Sequence, residues 1–317
     1  MKKITCFMLA CSLVIPYLVL AQSNNNACRM PIAIVMTDEC GPQEAGKVLN
    51  AKLEAILLNN GFVVSNQMQR FVLTAKINIV SKDVLPTNPP KVSQKLEVIL
   101  FIGDVLSDRL YGSYSFAVSG IGQNETKAFI TAFQSIKTNS EGTVQMLTDV
   151  MRRICSYYDE NTDELLEQTK SLSSVGRYDE AIAELMAVPE ACDRYNECQE
   201  AAIEIYKMKM NADAVSQLAK AKDVWNRSRD ASGAAIAAEY LQEIPPQSSY
   251  YLDAEQLRKE ILQKLSSDEQ REIAEKFREY EDNQNFRNSI VQACREIGVA
   301  WANNQPQSIV KSKIMRW

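Results

Sequence analysis

Apolar and polar positions along residues 30–120 follow first the period of a strand, then that of a helix, then that of strands again. An apolar run at 30–36 indicates the first strand, and the next apolar residues recur at the 3.6-residue spacing that places them on one helix face. Those residues are Ala45, Val48, Leu49, Leu53, Ile56 and Leu57. Three later segments, 71–80, 95–102 and 111–120, alternate or are apolar on both faces, which predicts three further strands.

Gly61 marks the end of the predicted helix. It stands where a helix commonly ends in a left-handed residue, and the apolar segment 62–64 then starts or leads into the second strand. After the last strand, helical periodicity at 128–136 and 144–158 predicts two amphipathic helices. The order β-α-β-β-β-α-α predicts a small mixed-sheet α/β domain at residues 28–158.

Strand patterns stop after this domain, and helical patterns dominate the rest of the chain. Six positions match 56 residues later in the same order, five of them with the same residue and one with Val replaced by Ile: Leu185, Val188, Pro189, Tyr195, Glu204 and Ile205 match Leu241, Ile244, Pro245, Tyr251, Glu260 and Ile261. This recurrence predicts a helical repeat domain at 159–265, because repeated helical units stack on a shared core. An amphipathic helix or helix pair is expected at 266–302 and a flexible tail at 303–317. The fold class is therefore α+β, a mixed sheet followed by all-α repeats.

The chain begins with the features of a cleavable signal peptide at residues 1–21. Lys2 and Lys3 form a positive start, an almost unbroken apolar stretch follows, and Ala21 supplies the small residue that a signal peptidase recognises. The mature chain is therefore expected to begin at Gln22.

Two other interpretations of this segment stay open. Residues 4–20 are at the lower length limit of a membrane span, although Pro16 interrupts them. Cys11 ends a sequence that resembles a bacterial lipobox, but lipidation there would leave an apolar segment exposed at the new N terminus. Cleavage fits the pattern better than either, and it predicts a periplasmic or outer-membrane-associated protein of a bacterium. No later segment is long and apolar enough to form a second spanning helix.

Charge and the absence of histidine exclude several classes of function. Loss of Lys2 and Lys3 with the signal would change the net charge from −5 to −7, which opposes binding to nucleic acid and to anionic lipid. The chain contains no histidine, so Ser-His-Asp and Cys-His catalysis, histidine-ligated zinc and imidazole pH switching are excluded.

Six cysteines remain after the signal peptide: Cys28, Cys40, Cys155, Cys192, Cys198 and Cys294. In an oxidising compartment an even number favours disulfides, although six cysteines allow fifteen connectivities. Cys192 and Cys198 flank a short polar segment between two helical patterns, and they are the pair we predict. Two half-buried thiols are the alternative.

Candidate catalytic residues are carboxylates near strand ends, where acid–base pairs could form: Asp38, Glu39, Asp104 and Asp108. Such residues are more often solvated turn residues, and nothing in the sequence indicates that they converge. We therefore assign no catalytic, cofactor-binding or metal-binding residue, and we expect no cofactor.

Aromatic residues of the helical half are candidates for a partner-binding groove. They are Tyr195, Trp225, Tyr240, Tyr250 and Tyr251. About half of such residues would instead be core of the repeats, since aromatic side chains bury large areas.

The segment 176–182, Gly-Arg-Tyr-Asp-Glu-Ala-Ile, followed by Leu185 and Pro189, resembles the second-helix core of a tetratricopeptide repeat. The second copy, at 234–245, lacks the Gly and the Tyr, and the 56-residue spacing departs from the 34 residues of that family. The resemblance is therefore tetratricopeptide-like, and it implies stacked helices with a groove that binds other proteins.

Three segments of the first half are similar to envelope α/β domains of the CsgG and LpoB type. These are 31–38 leading to a helix, 57–64 with the pattern L-x-x-x-G-F-V-V, and 111–122 running into an alanine-bearing helix. The resemblance implies an accessory or channel role in secretion or cell-wall assembly at the outer membrane.

Together these features predict an exported cell-envelope protein that acts as an interaction or adaptor module rather than an enzyme. Its expected partners are envelope proteins, among them outer-membrane assembly or secretion components, and a homo-oligomer is left open. Two alternatives are a carboxylate-dependent hydrolase such as a glycosidase, and a surface structural or adhesive protein.

Overall fold

A computed structural model describes residues 30–65, 69–266, 270, 286–306 and 312–316 of the chain. The predicted signal peptide, Cys11 and Cys28 lie outside the described residues, so their prediction stays untested. Within those ranges no helix is both long and apolar enough to cross a bilayer.

The first half forms a five-stranded sheet with the order β2-β1-β3-β4-β5. The strands are β1 (Pro31–Ile34), β2 (Val63–Ser65), β3 (Phe71–Leu85), β4 (Lys91–Asp104) and β5 (Arg109–Gly122). β1 pairs in parallel with both β2 and β3, whereas β3, β4 and β5 form an antiparallel meander. The predicted α+β fold class is confirmed. As predicted, the segment at 62–64 leads into the second strand, β2, which pairs in parallel with β1.

Helices cover one face of this sheet. They are α1 (Gln43–Asn59), α2 (Glu125–Gln134) and the long α3 (Glu141–Ser174). Leu73 and Ile102 are paired across β3 and β4, and both side chains are buried in the core beneath the helices. The side chains of Asn124 and Ser140 accept backbone N–H bonds at the starts of α2 and α3, which satisfies donors that a helix leaves unpaired.

Gly61 ends α1 as predicted. Its φ is 81°, its N–H donates to Leu58 O, and the N–H of Phe62 donates to Leu57 O. This pattern closes the last turn of the helix around a left-handed residue, for which glycine has no steric penalty.

Helices make up most of the described residues of the second half. They are α4 (Tyr178–Met186), α5 (Tyr195–Arg227), α6 (Ala231–Gln242), α7 (Tyr251–Lys264) and α8 (Phe286–Asn303). The domain boundary expected after residue 158 falls inside α3, which continues without a break. One core joins the sheet to α3, α4, α8 and the first half of α5, and a second core lies between the end of α5, α6 and α7.

The 56-residue recurrence extends to the backbone hydrogen bonds of the loops between the paired helices. In the first copy, Val188 N donates to Leu185 O (3.3 Å) and Cys192 N donates to Pro189 O (3.0 Å). The equivalent bonds of the second copy are Ile244 N to Leu241 O (3.3 Å) and Ser248 N to Pro245 O (2.9 Å). The recurrence is therefore a repeated unit of structure, in which a helix, a short helix and a loop come in the same order.

The C-terminal residues 312–316 are packed on the sheet, although the sequence favours a flexible tail at 303–317. Ile314 is 5% exposed and lies with Ala33 and Val72 on the sheet face opposite the helices. Lys313 Nζ donates to Leu106 O at 2.7 Å. The apolar residues of that face would otherwise face water, and Ile314 covers them.

Candidate functional site

A cleft of about 440 Å³ lies where the sheet meets the helical half. One wall comes from the ends of β1, β2 and β3, and the other from α4, residues 187–190 and α8. Its apolar lining includes Met30, Pro31, Val63, Phe71, Met186, Val188 and Trp301. Concave, mostly apolar surfaces of this size are typical of binding sites.

Arg70, at the base of this cleft, joins its two walls. Nε lies 2.6 Å from Asp104 Oδ2 at the end of β4, and Nη1 lies 2.5 Å from Glu184 Oε2 on α4. Burial by itself would lower the pKa of Arg70, but its surroundings, including Tyr158 and both carboxylates, hold that pKa well above its ordinary value. The guanidinium is therefore permanently charged and bound on both sides.

Asp104 is fully buried, and its second carboxylate oxygen also has partners. Oδ1 accepts the backbone N–H groups of Leu106 (2.8 Å) and Ser107 (3.1 Å), which shapes the turn between β4 and β5. Both oxygens of this carboxylate therefore have structural partners, which a buried charge needs.

A smaller polar cavity of about 280 Å³ lies on the other side of Arg70. It is lined by Tyr157, Tyr158, Asn161 and Glu164, among others. Burial raises the pKa of Tyr158 well above its ordinary value and also raises that of Tyr111. Both phenols therefore stay neutral near pH 7, and neither is suited to act as a base there.

The rim of the large cleft carries charged groups that bind each other. Arg295 of α8 donates from Nη2 to Glu190 Oε1 at 2.8 Å and to the Tyr195 hydroxyl at 3.5 Å. Tyr195 also lines the cleft. Of the five aromatic residues predicted to bind a partner, Tyr195 is therefore the one that this cleft includes.

Of the other four predicted aromatic residues, Trp225, Tyr240 and Tyr250 lie at the second core, and Tyr251 begins α7 next to Arg258. Trp225 is only 1% exposed and donates from Nε1 to Glu260 at 3.4 Å, so it is a core residue and not part of an open groove. Tyr240 and Tyr250 are half-buried against the same core, and the Tyr251 ring lies 5.9 Å from the Arg258 guanidinium. The sequence pattern shows where aromatic residues recur, but not which of them lie between packed helices.

The four candidate carboxylates do not form one site. Asp104 binds Arg70, Glu39 pairs with Lys76 at 3.2 Å, and Asp108 pairs with Arg316. Asp38 begins a short 3-10 helix, Asp38–Cys40. Within the described residues, no group of three acidic or cysteine side chains could hold a metal ion.

The structure brings Cys192 close to Cys155 of α3. Cys192 Sγ lies 3.0 Å from Cys155 Sγ, whereas Cys198 is fully buried in the core. Burial raises the pKa of Cys198 and of Cys294 to about 11. The predicted Cys192–Cys198 disulfide stays a prediction, because no cysteine pair of the described residues is at disulfide distance.

Comparison with known proteins assigns no family to the chain. No protein-family model matches it. No curated protein matches it either. Among solved structures, it is similar over 33% of its length to a minor lipoprotein from Acinetobacter baumannii, of which the match covers 86%, with 15% identity and a TM-score of 0.23. A likeness at this level establishes neither a shared fold nor a shared function.

Proposed function

We propose that this protein is an exported interaction module of the cell envelope, and that the cleft receives an extended apolar segment of an envelope partner protein. The observation that carries the proposal is an apolar cleft beside β2, the edge strand of the sheet among the described residues. Val63 of the edge strand β2 is 45% exposed and lines the cleft together with Trp301 and Met186 of the helical wall.

An extended peptide suits this site better than a compact ligand does. Among the described residues β2 is the outermost strand and pairs with β1 on one side, so its other side can offer backbone groups to a further strand. A segment added at such an edge gains main-chain hydrogen bonds, while pockets alongside select its side chains. Apolar residues of that segment would enter the space between Met186, Val188 and Trp301.

The polar groups around the cleft support recognition rather than catalysis. Arg70 is held by Asp104 and Glu184, and Arg295 is bound to Glu190, so each charge already has a partner. A general base or nucleophile needs a group that can exchange a proton or attack a substrate. The hydrolase alternative would require a carboxylate pair free of such partners.

The location of the partner rests on the N-terminal sequence. The pattern of Lys2, Lys3 and the apolar stretch ending at Ala21 favours export, and the negative net charge opposes nucleic acid as a target. Mass spectrometry of the protein from its native cells tests this part, and the expected N terminus is Gln22.

Selection from a library of displayed linear peptides tests the cleft. We expect enrichment of extended apolar sequences, and Val63→Arg should weaken their binding at least about tenfold, or about 1.4 kcal/mol. Leu252→Arg is the matched control, because Leu252 is 79% exposed on α7, away from the cleft, and it should leave the affinity unchanged.

Equal affinity of the Val63→Arg variant and the wild type would reject the cleft as the peptide site. Native mass spectrometry adds a second discriminating measurement. A small molecule that co-purifies with the wild-type protein and is lost from the Val63→Arg variant would replace the peptide with a compact ligand.

A further inference from the structure

Two sulfur atoms meet between α3 and the loop that lines the cleft. Cys192 lies in the loop 187–194 between α4 and α5. Its Sγ is 3.0 Å from Cys155 Sγ of α3, which is about 1 Å longer than a disulfide bond of roughly 2.05 Å. Cys192 is 4% exposed, and Cys155 is half-buried. The two residues are 37 positions apart, so the fold and not the local sequence brings them together.

The second copy of the repeat has a polar contact at the equivalent place. Adding 56 to Cys155 and Cys192 gives Asn211 and Ser248, and Asn211 Oδ1 lies 3.1 Å from Ser248 Oγ. The N–H of Ser249 also donates to Asn211 Oδ1, at 3.0 Å. In both copies this contact fastens the loop after the short helix to the preceding long helix. The first copy makes it with two thiols.

We propose that Cys155 and Cys192 are a disulfide-forming pair that locks residues 187–194 onto α3 and thereby holds the helical wall of the cleft. The oxidant is the disulfide of an oxidoreductase or of a small thiol such as glutathione. The link to peptide binding rests on the function proposed above, whereas the disulfide itself does not.

The exchange proceeds in two balanced steps. Cys155 loses its proton, and its sulfur attacks one sulfur of the oxidant, which forms a mixed disulfide and releases the other sulfur as a thiolate. Cys192 then loses its proton and attacks Cys155 Sγ, which forms the internal disulfide and releases the second thiolate. The two protein thiols are oxidised by two electrons, and the oxidant is reduced to two thiols.

The surroundings favour Cys155 as the attacking thiol. It is the more exposed of the two, and the hydrogen bond from Cys192 lowers its pKa. Cys198 and Cys294, by contrast, lie in the core, where burial raises their pKa to about 11. Cys155 is therefore better suited than Cys198 or Cys294 to attack a disulfide.

Arg194, at the end of the loop, makes further polar contacts with α3 that keep the two thiols close to each other. Arg194 N donates to Asp159 Oδ1 at 3.2 Å, and Arg194 Nη2 lies 2.7 Å from Asp163 Oδ1. These contacts hold the end of the loop near α3 in the thiol form. Val188 and Pro189 of the same loop line the cleft, so a covalent lock at Cys192 acts on that wall.

The test is peptide mapping of the full-length protein as purified, after equilibration in reduced and oxidised glutathione and trapping by alkylation. We expect a Cys155–Cys192 linkage in the oxidised buffer and two alkylated peptides in the reduced one. The oxidised form should melt about 5 °C or more above the reduced form, since the bond restricts the unfolded chain.

The repeat itself supplies the matched variant. The double variant Cys155→Asn, Cys192→Ser reproduces the Asn211–Ser248 contact of the second copy. The melting temperature of this variant should be close to that of the reduced wild type in both buffers. Cys294→Ala is the control that should keep the redox-dependent shift.

Recovery of Cys155 and Cys192 as separately alkylated peptides at every glutathione ratio would overturn the proposal. So would a linkage of Cys192 to Cys198, or of either thiol to Cys28. Because the map needs no bound peptide, it can succeed or fail independently of the proposed peptide-binding function. If the disulfide forms and peptide affinity is the same in both buffers, the lock on the cleft wall is rejected.

Discussion

Arg70 and Asp104 are joined across the base of the β3–β4 hairpin, with Arg70 Nε 2.6 Å from Asp104 Oδ2. Arg70 directly precedes β3, and Asp104 is the last residue of β4, opposite Phe71. The same guanidinium reaches Glu184 of α4. One side chain thus ties the sheet to the helical half at the cleft.

Arg70→Met should lower the free energy of unfolding by about 3–5 kcal/mol, because it leaves the fully buried Asp104 carboxylate without its counter-charge. Denaturant unfolding at pH 7 measures this loss. Combining Arg70→Met with Asp104→Asn should recover a large part of it, since the amide oxygen still accepts from Leu106 and Ser107. A double variant no more stable than Arg70→Met would contradict this explanation.

Gln94→Met should stabilise the protein by about 1 kcal/mol. Gln94 lies on β4 with 1% exposure, and neither its Nε2 nor its Oε1 has a hydrogen-bond partner among the described residues. Methionine has a similar shape and does not carry the unpaired polar atoms. Thermal or chemical unfolding measures the gain. Gln94→Glu, which buries a charge at the same place, is expected to destabilise instead.

Gly120→Ala should destabilise the sheet domain by about 3 kcal/mol. A methyl group at this position of β5 would overlap the backbone of α2 at Ala128 and Ala132, which requires the helix to move away from the strand. The adjacent substitution Ser119→Ala, at an exposed position of the same strand, is the control and should change stability by less than about 0.5 kcal/mol. Equal effects of the two changes would show that α2 adjusts at no cost.

Stability should fall between about pH 9 and pH 11 under reducing conditions, partly through Cys294. Burial raises the pKa of this thiol from 9.0 to about 11, so the unfolded chain releases the proton first as the pH rises. The stabilising contribution is complete below pH 9 and is lost as the pH passes about 11, with a total of about 3 kcal/mol. Urea unfolding of wild type and Cys294→Ala across this range should give a shallower pH dependence for the variant. Parallel curves would exclude the contribution of Cys294.

The sequence by itself determined the parts of this protein that depend on local periodicity. The 3.6-residue spacing of Leu49, Leu53 and Ile56 predicted α1, and Gly61 predicted its end, because both follow from backbone geometry within one element. The 56-residue recurrence likewise indicated the repeated helical unit, since matching residues occupy matching places in the two loops.

The tertiary structure decided which of these elements meet. Cys192 contacts Cys155, 37 positions away in the chain, Trp225 lies in a core, and Arg70 binds two carboxylates from separate elements. A periodic pattern shows which face of an element is buried, but it carries no information on which distant element covers that face. The cleft, its charged rim and the thiol pair all depend on which distant elements pack together, because each combines residues from elements far apart in the chain.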